Sequence, residues 1–181
     1  MNFATKEITL KNGEAATLRA PRASDCREMI EYMKRTAAET EFLTRYPEEC
    51  IYTEEGEAEY LQNMLDSEDN LMIVAVVNGK IAGNCQIVFN RRIKTAHRAT
   101  VMIALLEEYC SLRLGTAMFE ELIAAARRRK ILQLELEVLE GNTRAIGLYR
   151  KMGFEPVAAL PNAFRMRDGS FRKLLYMIKD L

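Results

Sequence analysis

The chain contains one histidine and no tryptophan, and its cysteines Cys26, Cys50, Cys85 and Cys110 never come at Cys-x-x-Cys spacing. Zinc is held by clustered Cys and His ligands, so no metal site is expected. Neither a Gly-x-Gly-x-x-Gly run nor a Walker-type loop occurs, which argues against the common dinucleotide and nucleoside-triphosphate enzymes. An excess of either charge is also missing, 26 Lys and Arg standing against 26 Asp and Glu. Such a chain has no electrostatic footprint for nucleic acid. Its dense basic run, residues 127–130, closes a helical pattern, where cations complement the helix dipole. No stretch nears the ~20 apolar residues that span a bilayer. Residues 1–6 lack the apolar centre of a secretion signal. A cytoplasmic location, with neither nucleic acid nor membrane as partner, is the expectation.

What is present is a large apolar fraction, 49%, enough for one domain over residues 1–181 with a substantial core. Asn12-Gly13 between residues 7–10 and 16–20, and Asn78-Gly79 between 71–77 and 80–89, read as hairpins. Pro21 ends the second strand, and Ser24 is positioned to cap a helix reaching about residue 38. Thr53, followed by Glu54, Glu55 and Glu57, starts another that reaches about residue 65. Residues 91–97 make a basic connection into the next strand. Two late strands, 154–159 and 171–179, are joined by a longer loop with a turn at Asp168-Gly169.

The middle of the chain is more specific. Residues 98–106 read as a strand, and Leu114 opens a helix with Leu114, Met118, Leu122 and Ala125 on one side. Residues 131–139 form a second strand, with Leu132, Leu134, Leu136 and Val138 on one face and Gln133, Glu135 and Glu137 on the other. Strand, helix and strand make a βαβ unit with parallel strands and a right-handed crossover. A short helix follows, carrying Ala145, Leu148, Tyr149 and Met152 at one-face spacing. Gly153 suits the left-handed residue that closes it. Asn142 and Tyr149 project from nearly one side, about 10 Å apart along the axis. Ligands of such sheets sit at the carboxyl ends of the strands, beside helix N-termini whose unpaired N–H groups suit phosphate.

Asn142, Ala145, Tyr149, Gly153 and Phe154 resemble the second signature of the GNAT (Gcn5-related) N-acetyltransferases: an Asn, an Ala three residues on, a Tyr, then Gly-Phe. The order of elements agrees over essentially the whole length. The first signature of that family, an Arg/Gln-x-x-Gly-x-Gly/Ala loop for the acyl-CoA pyrophosphate, survives only at Gly115. Cys110 stands where Arg or Gln is usual, and Arg113 where the first Gly is usual. Glycine there permits positive φ and close approach of backbone to phosphate. Arg113 must turn right-handed or accept strain, and it brings a charge that can pair with a phosphate oxygen. The resemblance implies an α/β fold (an α+β mixed sheet) of the single-domain acyl-CoA N-acyltransferase kind. A central splayed parallel strand pair would be flanked by antiparallel hairpins. It further implies acetyl-CoA as co-substrate, no metal, and direct transfer to the primary amine of a small molecule or a protein N-terminus.

Site residues follow from the same resemblance. The pantetheine arm would pair with the main chain of Ile103, Ala104 and Leu105, with the Leu105 N–H as candidate donor to the thioester carbonyl. Ser111, Leu112, Arg113, Leu114, Gly115 and Thr116 would take the pyrophosphate, and Asn142 would hydrogen-bond the pantetheine or cap its helix. Tyr149 is the expected general acid, since a phenol near pKa ~10 is protonated at neutral pH. Glu137 is the leading base, weighed equally against an exposed strand-face glutamate; Glu135 shares its face but lies further from the carboxyl end. Glu39, Glu41, Phe42 and, in the loop 161–165, Phe164 are the expected acceptor contacts, the two acids favouring a cationic amine. His97 reads as a structural or surface residue, and Cys110, which lacks an activating base, as a loop thiol. A homodimer through the C-terminal strands or an edge is compatible with this pattern. Cys110 and Arg113 motivate the competing reading, a catalytically silent acyl-CoA-binding or regulatory domain.

Overall fold

Eight strands form one sheet: β1 (Lys6–Thr9), β2 (Ala15–Arg19), β3 (Asn70–Val77), β4 (Lys80–Phe89), β5 (Arg98–Leu105), β6 (Gln133–Leu139), β7 (Glu155–Arg165) and β8 (Phe171–Asp180). Their spatial order is β1-β2-β3-β4-β5-β6-β8-β7. Four helices cover it: α1 (Cys26–Glu39), α2 (Glu54–Asp66), α3 (Leu114–Arg128) and α4 (Thr143–Lys151). The computed structural model describes residues 3–181, so the first two residues of the leader reading lie outside the described range. Every neighbouring pair is antiparallel except β5 and β6. This is the mixed sheet with a central parallel step and antiparallel flanks that the sequence predicts.

Period-two alternation divides the side chains between two cores. In β3, Leu71, Ile73, Ala75 and Val77 join one buried cluster with Met118, Phe119 and Leu122 of α3 and Tyr149 of α4. Met72 and Val74 join the other, with Met29 and Tyr32 of α1 and Leu61 and Met64 of α2. The sheet therefore lies between an α1/α2 layer and an α3/α4 layer. The Asn78-Gly79 turn has positive φ at both residues, 50° and 78°, as a tight hairpin requires. Thr53 caps α2 by accepting from the Gly56 N–H at 3.1 Å.

Two expectations are corrected. Ser24 does not cap α1; it lies in a 3-10 turn, Ala23–Asp25, that precedes the helix. Asp25 organises this corner instead. It accepts from Arg19 Nη1 at 2.7 Å, from Arg19 Nη2 at 2.9 Å and from the Arg22 N–H at 2.8 Å. The 3-10 turn moves the cap position of α1 from Ser24 to Asp25. The loop expected over 161–165 is strand. β7 runs on to Arg165 and pairs with β8 through an irregularity between Leu160 and Phe164, with Asn162 at φ 53°. The intervening residues bulge rather than leave the sheet.

Candidate active site

The parallel pairing of β5 and β6 is brief. It covers only Arg98 with Gln133, Ala99 with Leu134 and Thr100 with Glu135. Beyond Thr100, β5 continues to Leu105 held by β4 alone, while β6 continues to Leu139 held by β8. In an antiparallel pair, alternate residues turn their N–H and C=O toward the neighbour and the rest turn away. The Leu106 N–H donates to the Ala82 carbonyl at 2.9 Å. Even-numbered residues of β5 therefore face β4, and the N–H groups of Ile103 and Leu105 face the gap left by β6. That is a strand edge open for pairing inside the sheet.

A cavity of about 1480 Å³ occupies this gap and reaches both faces of the sheet. From the α3/α4 face it is lined by Gly115, Thr116, Leu148 and Tyr149, and from the other by Met29, Met33, Glu57, Tyr60 and Gln86. Ile103, Ala104, Leu105, Ser111, Arg113, Asn142, Glu137, Glu39, Phe42 and Phe164 also line it. Leu112, Leu114 and Glu41 do not. The Leu112 side chain packs on the main core, Leu114 is fully buried, and Glu41 is 3.7 Å from Arg172. His97 is exposed and away from the cavity.

At the mouth of α3, Ser111 and Arg113 both take left-handed backbone, φ 62° and 72°. Arg113 thus accepts the strain rather than turning right-handed. Its carbonyl receives the Ala117 N–H at 3.0 Å, so the first-turn N–H groups of Leu114, Gly115 and Thr116 have no helical partner. Together with left-handed turns just ahead, they form an anion-binding concavity. Gly115 serves packing here: a Cβ on it would lie 2.9 Å from Leu148 Cδ2 and 3.4 Å from Leu105 Cδ1. The absent side chain lets α3, α4 and β5 converge. Cys110, also on the cavity wall, directs its Sγ to the Leu106 carbonyl at 3.6 Å.

Tyr149 is held in an edge-to-face group, its ring 5.5 Å from Phe119 and 6.3 Å from Phe154. Only 7% of it is exposed, and burial pushes its phenol up to about 12. Among the described residues no group hydrogen-bonds its hydroxyl, while the residue borders the cavity. Asn142 caps α4, its Oδ1 accepting from the Ala145 N–H at 3.1 Å, which leaves the amide nitrogen for another partner. Glu137 is exposed and sits past the last residue that β6 pairs with β5. Glu135 is engaged by Arg98 at 3.4 Å and by Thr100 Oγ1 at 3.4 Å. β6 alternation puts Glu137 on the α1/α2 face, opposite Tyr149.

Glu39 is on the wall, but its carboxylate is committed. Oε1 accepts from Arg35 Nε and Oε2 from the Glu107 N–H, both at 2.7 Å. Glu107 in turn receives Arg144 Nη2 at 3.4 Å. This chain of contacts straps the end of α1, the end of β5 and the start of α4 together at the cavity rim. Among the lining residues that sequence reasoning did not single out as site residues are Arg45 and Glu57. Glu57 had a readable signal: with Leu61 and Met64 it falls at i, i+4 and i+7, one buried helix face. Arg45 lies in an irregular segment where no periodicity points inward.

The profile described as "Acetyltransferase (GNAT) family" matches residues 30–154. The chain belongs to this family. It is an acetyl-CoA-dependent N-acetyltransferase by that membership. The chain is 24% identical over 119 residues to the L-amino acid N-acetyltransferase AaaT of Escherichia coli K12, covering 65% of this chain and 73% of that protein. A GNAT-family acetyltransferase from Streptococcus pneumoniae superposes with TM-score 0.84 at 26% identity, over 92% of this chain and 99% of that one. The ribosomal-protein-alanine N-acetyltransferase of Brucella melitensis gives TM-score 0.76 at 22% identity, over 91% and 99%. yncA of Salmonella typhimurium, solved with its cofactor acetyl-CoA, gives 0.75 at 19%, over 92% and 94%. The residues here fit the coenzyme: an open strand edge for its amide-bearing stem and an N–H-rich helix mouth for its phosphates. Among the described residues no His, Cys, Asp and Glu cluster could hold a metal ion, and no helix is long and apolar enough to cross a membrane.

Proposed function

We propose that the acetyl group passes directly to the primary amine of a small molecule or a protein N-terminus, in the gap between β5 and β6. The observation that carries this is the parting of those strands after Thr100, with the N–H groups of Ile103 and Leu105 turned into a cavity that Tyr149 borders. Acetyl-CoA supplies an acetyl group activated as a thioester. The Leu105 N–H donates to its carbonyl oxygen, stabilising negative charge that grows there. The main chain of Ile103 and Ala104 positions the stem, with the Asn142 amide beside it. Ser111, Arg113, Gly115 and Thr116 hold the phosphates, the Arg113 guanidinium adding a positive charge to the helix mouth.

Tyr149 keeps its proton through neutral and mildly alkaline pH, because its phenol is raised to about 12. It gives that proton to the departing thiolate. Glu137, on the opposite face, takes the proton of the incoming ammonium directly or through water. Phe42 and Phe164 border the acceptor.

Thiol release from acetyl-CoA across an amine panel tests this, comparing wild type with Tyr149→Phe. The variant is expected to lose about 100-fold in kcat while keeping its stability, since the hydroxyl has no partner among the described residues. Equal rates on the true acceptor would remove Tyr149 from the mechanism. Tight coenzyme binding without turnover of any amine would favour the silent-domain reading that Cys110 and Arg113 motivate.

A further inference from the structure

The α1/α2 half of the cavity is apolar apart from a few polar groups, and nearly all of those are engaged. Thr36 Oγ1 donates to the Tyr32 and Met33 carbonyls at 3.0 and 3.1 Å. Asn84 Oδ1 accepts from the Tyr32 hydroxyl at 2.9 Å, and Gln86 Nε2 donates to the Tyr60 hydroxyl at 2.9 Å. Three charged groups are left over: Glu137 of β6, already assigned as the base, and the pair Glu57 and Arg45. Glu57 is only 6% exposed and borders the cavity from α2, yet no donor reaches its carboxylate among the described residues. Arg45 borders the same space, and its Nε is shut away from water with no acceptor.

The two lie near enough for the guanidinium to favour ionised Glu57, against the dominant upward push of burial. They nevertheless form no ion pair. A buried charge without a partner is costly, and removing it from water is repaid only by a matching group. Opposite charges held close but apart describe a site for a guest that carries both signs. Resting on the acetyltransferase reading above, we propose that the acceptor is a free amino acid with an apolar side chain, its carboxylate taken by Arg45 and its ammonium drawn in by Glu57.

An arginine presents a planar fork suited to a carboxylate. A simple amine would leave Arg45 facing a second positive charge, and a peptide N-terminus has no carboxylate on its first α-carbon. The surrounding wall carries Met29, Met33, Met72 and Met102. Methionines are unbranched and polarisable and adapt to apolar groups of varied shape. The wall thus fits a class of apolar amino acids rather than one member.

The test uses acceptors that share one side chain: L-methionine, L-methioninamide, 3-(methylthio)propylamine and a neutral peptide beginning with methionine. Binding is read by calorimetry on the free and the CoA-saturated protein, and turnover by thiol release. Methionine is expected to exceed each of the others by at least about tenfold in affinity and kcat/KM, the loss expected when a buried charge goes unmatched. Arg45→Met should bring methionine and its amide within about threefold of each other, whereas Arg45→Lys should keep part of the preference. Glu57→Gln should weaken methionine binding by about tenfold. The amide, the amine or the peptide matching methionine in the wild type overturns the proposal, as does a preference that survives Arg45→Met. Because acceptor binding is also read without coenzyme, failure to bind CoA would count against the proposed function alone.

Discussion

Arg113 holds φ 72° at the entry to α3, a conformation costing a non-glycine residue about 1–2 kcal/mol. Arg113→Gly should therefore raise stability by up to about 1 kcal/mol, tempered by the greater freedom of unfolded glycine. On the proposed placing of the phosphates at Arg113, the same change should weaken CoA binding by about three- to tenfold through loss of that charge. Thermal melts and calorimetry read the two effects separately; loss of stability would mean that the arginine supports the loop. Glu57 behaves alike, as a residue that strains the fold. Burial raises its carboxyl above the ordinary value of 4.5. Ionising it therefore costs more in the folded state than in the unfolded chain, and the stability of the protonated form is lost as pH rises from about 4.5 through the raised value. Glu57→Gln should flatten that decline and match or exceed wild-type stability above it, as measured by denaturation midpoints across pH 4–8. A large loss of stability at all pH values would make Glu57 a structural residue. The backbone of Arg113 was poorly legible, and the inward face of Glu57, though marked by its spacing with Leu61 and Met64, was easily overlooked, each for a physical reason. The sequence permits Arg113 two backbone conformations, and only the surrounding loop selects one. Glu57 stands among first-turn acids that suit a helix dipole, so its inward face is masked by its neighbours.

At the scale of elements, the open edge of β5 depends on a missing side chain in β4. A Cβ on Gly83 would collide with Leu105 Cδ2 and stand 2.9 Å from the Ala104 carbonyl oxygen. Gly83→Ala is expected to cost about 1–3 kcal/mol as overpacking and to lower kcat/KM by about 10- to 100-fold, since the Leu105 N–H is displaced. Unchanged kinetics would separate that N–H from the reaction. The corner before α1 rests on Asp25 and Arg19, whose side chains are 9% and 13% exposed. Asp25→Ala leaves a guanidinium unpaired and should cost about 3 kcal/mol in chemical denaturation. Elements with their own periodicity, such as β3, α3 and β6, were legible because one face of each is nearly all apolar. The Ser24 cap and the 161–165 loop were not. A 3-10 turn shifts the helix start past the serine at the first, and pairing with β8 holds the second in the sheet despite Pro161.

Across the whole molecule, burial also raises Tyr32, Tyr149 and Cys85. Each must stay protonated to remain inside, so the stability they support is intact below their ordinary values and falls as pH climbs through the raised ones. Denaturation midpoints should drop from about pH 9, where a cysteine ordinarily ionises, through about pH 12, less steeply in Tyr149→Phe than in wild type. The cavity that sets Tyr149 against Glu137 also bears on the kinetics of the proposed reaction. Because the gap opens on both sides of the sheet, the proposed reaction gives the amine its own doorway and leaves the other to the coenzyme's stem. On that reading both reactants are aboard at once, and nothing needs to be parked on a side chain between visits. Initial-rate plots with the two concentrations varied should intersect; parallel lines would reveal an acetylated protein as a way-station.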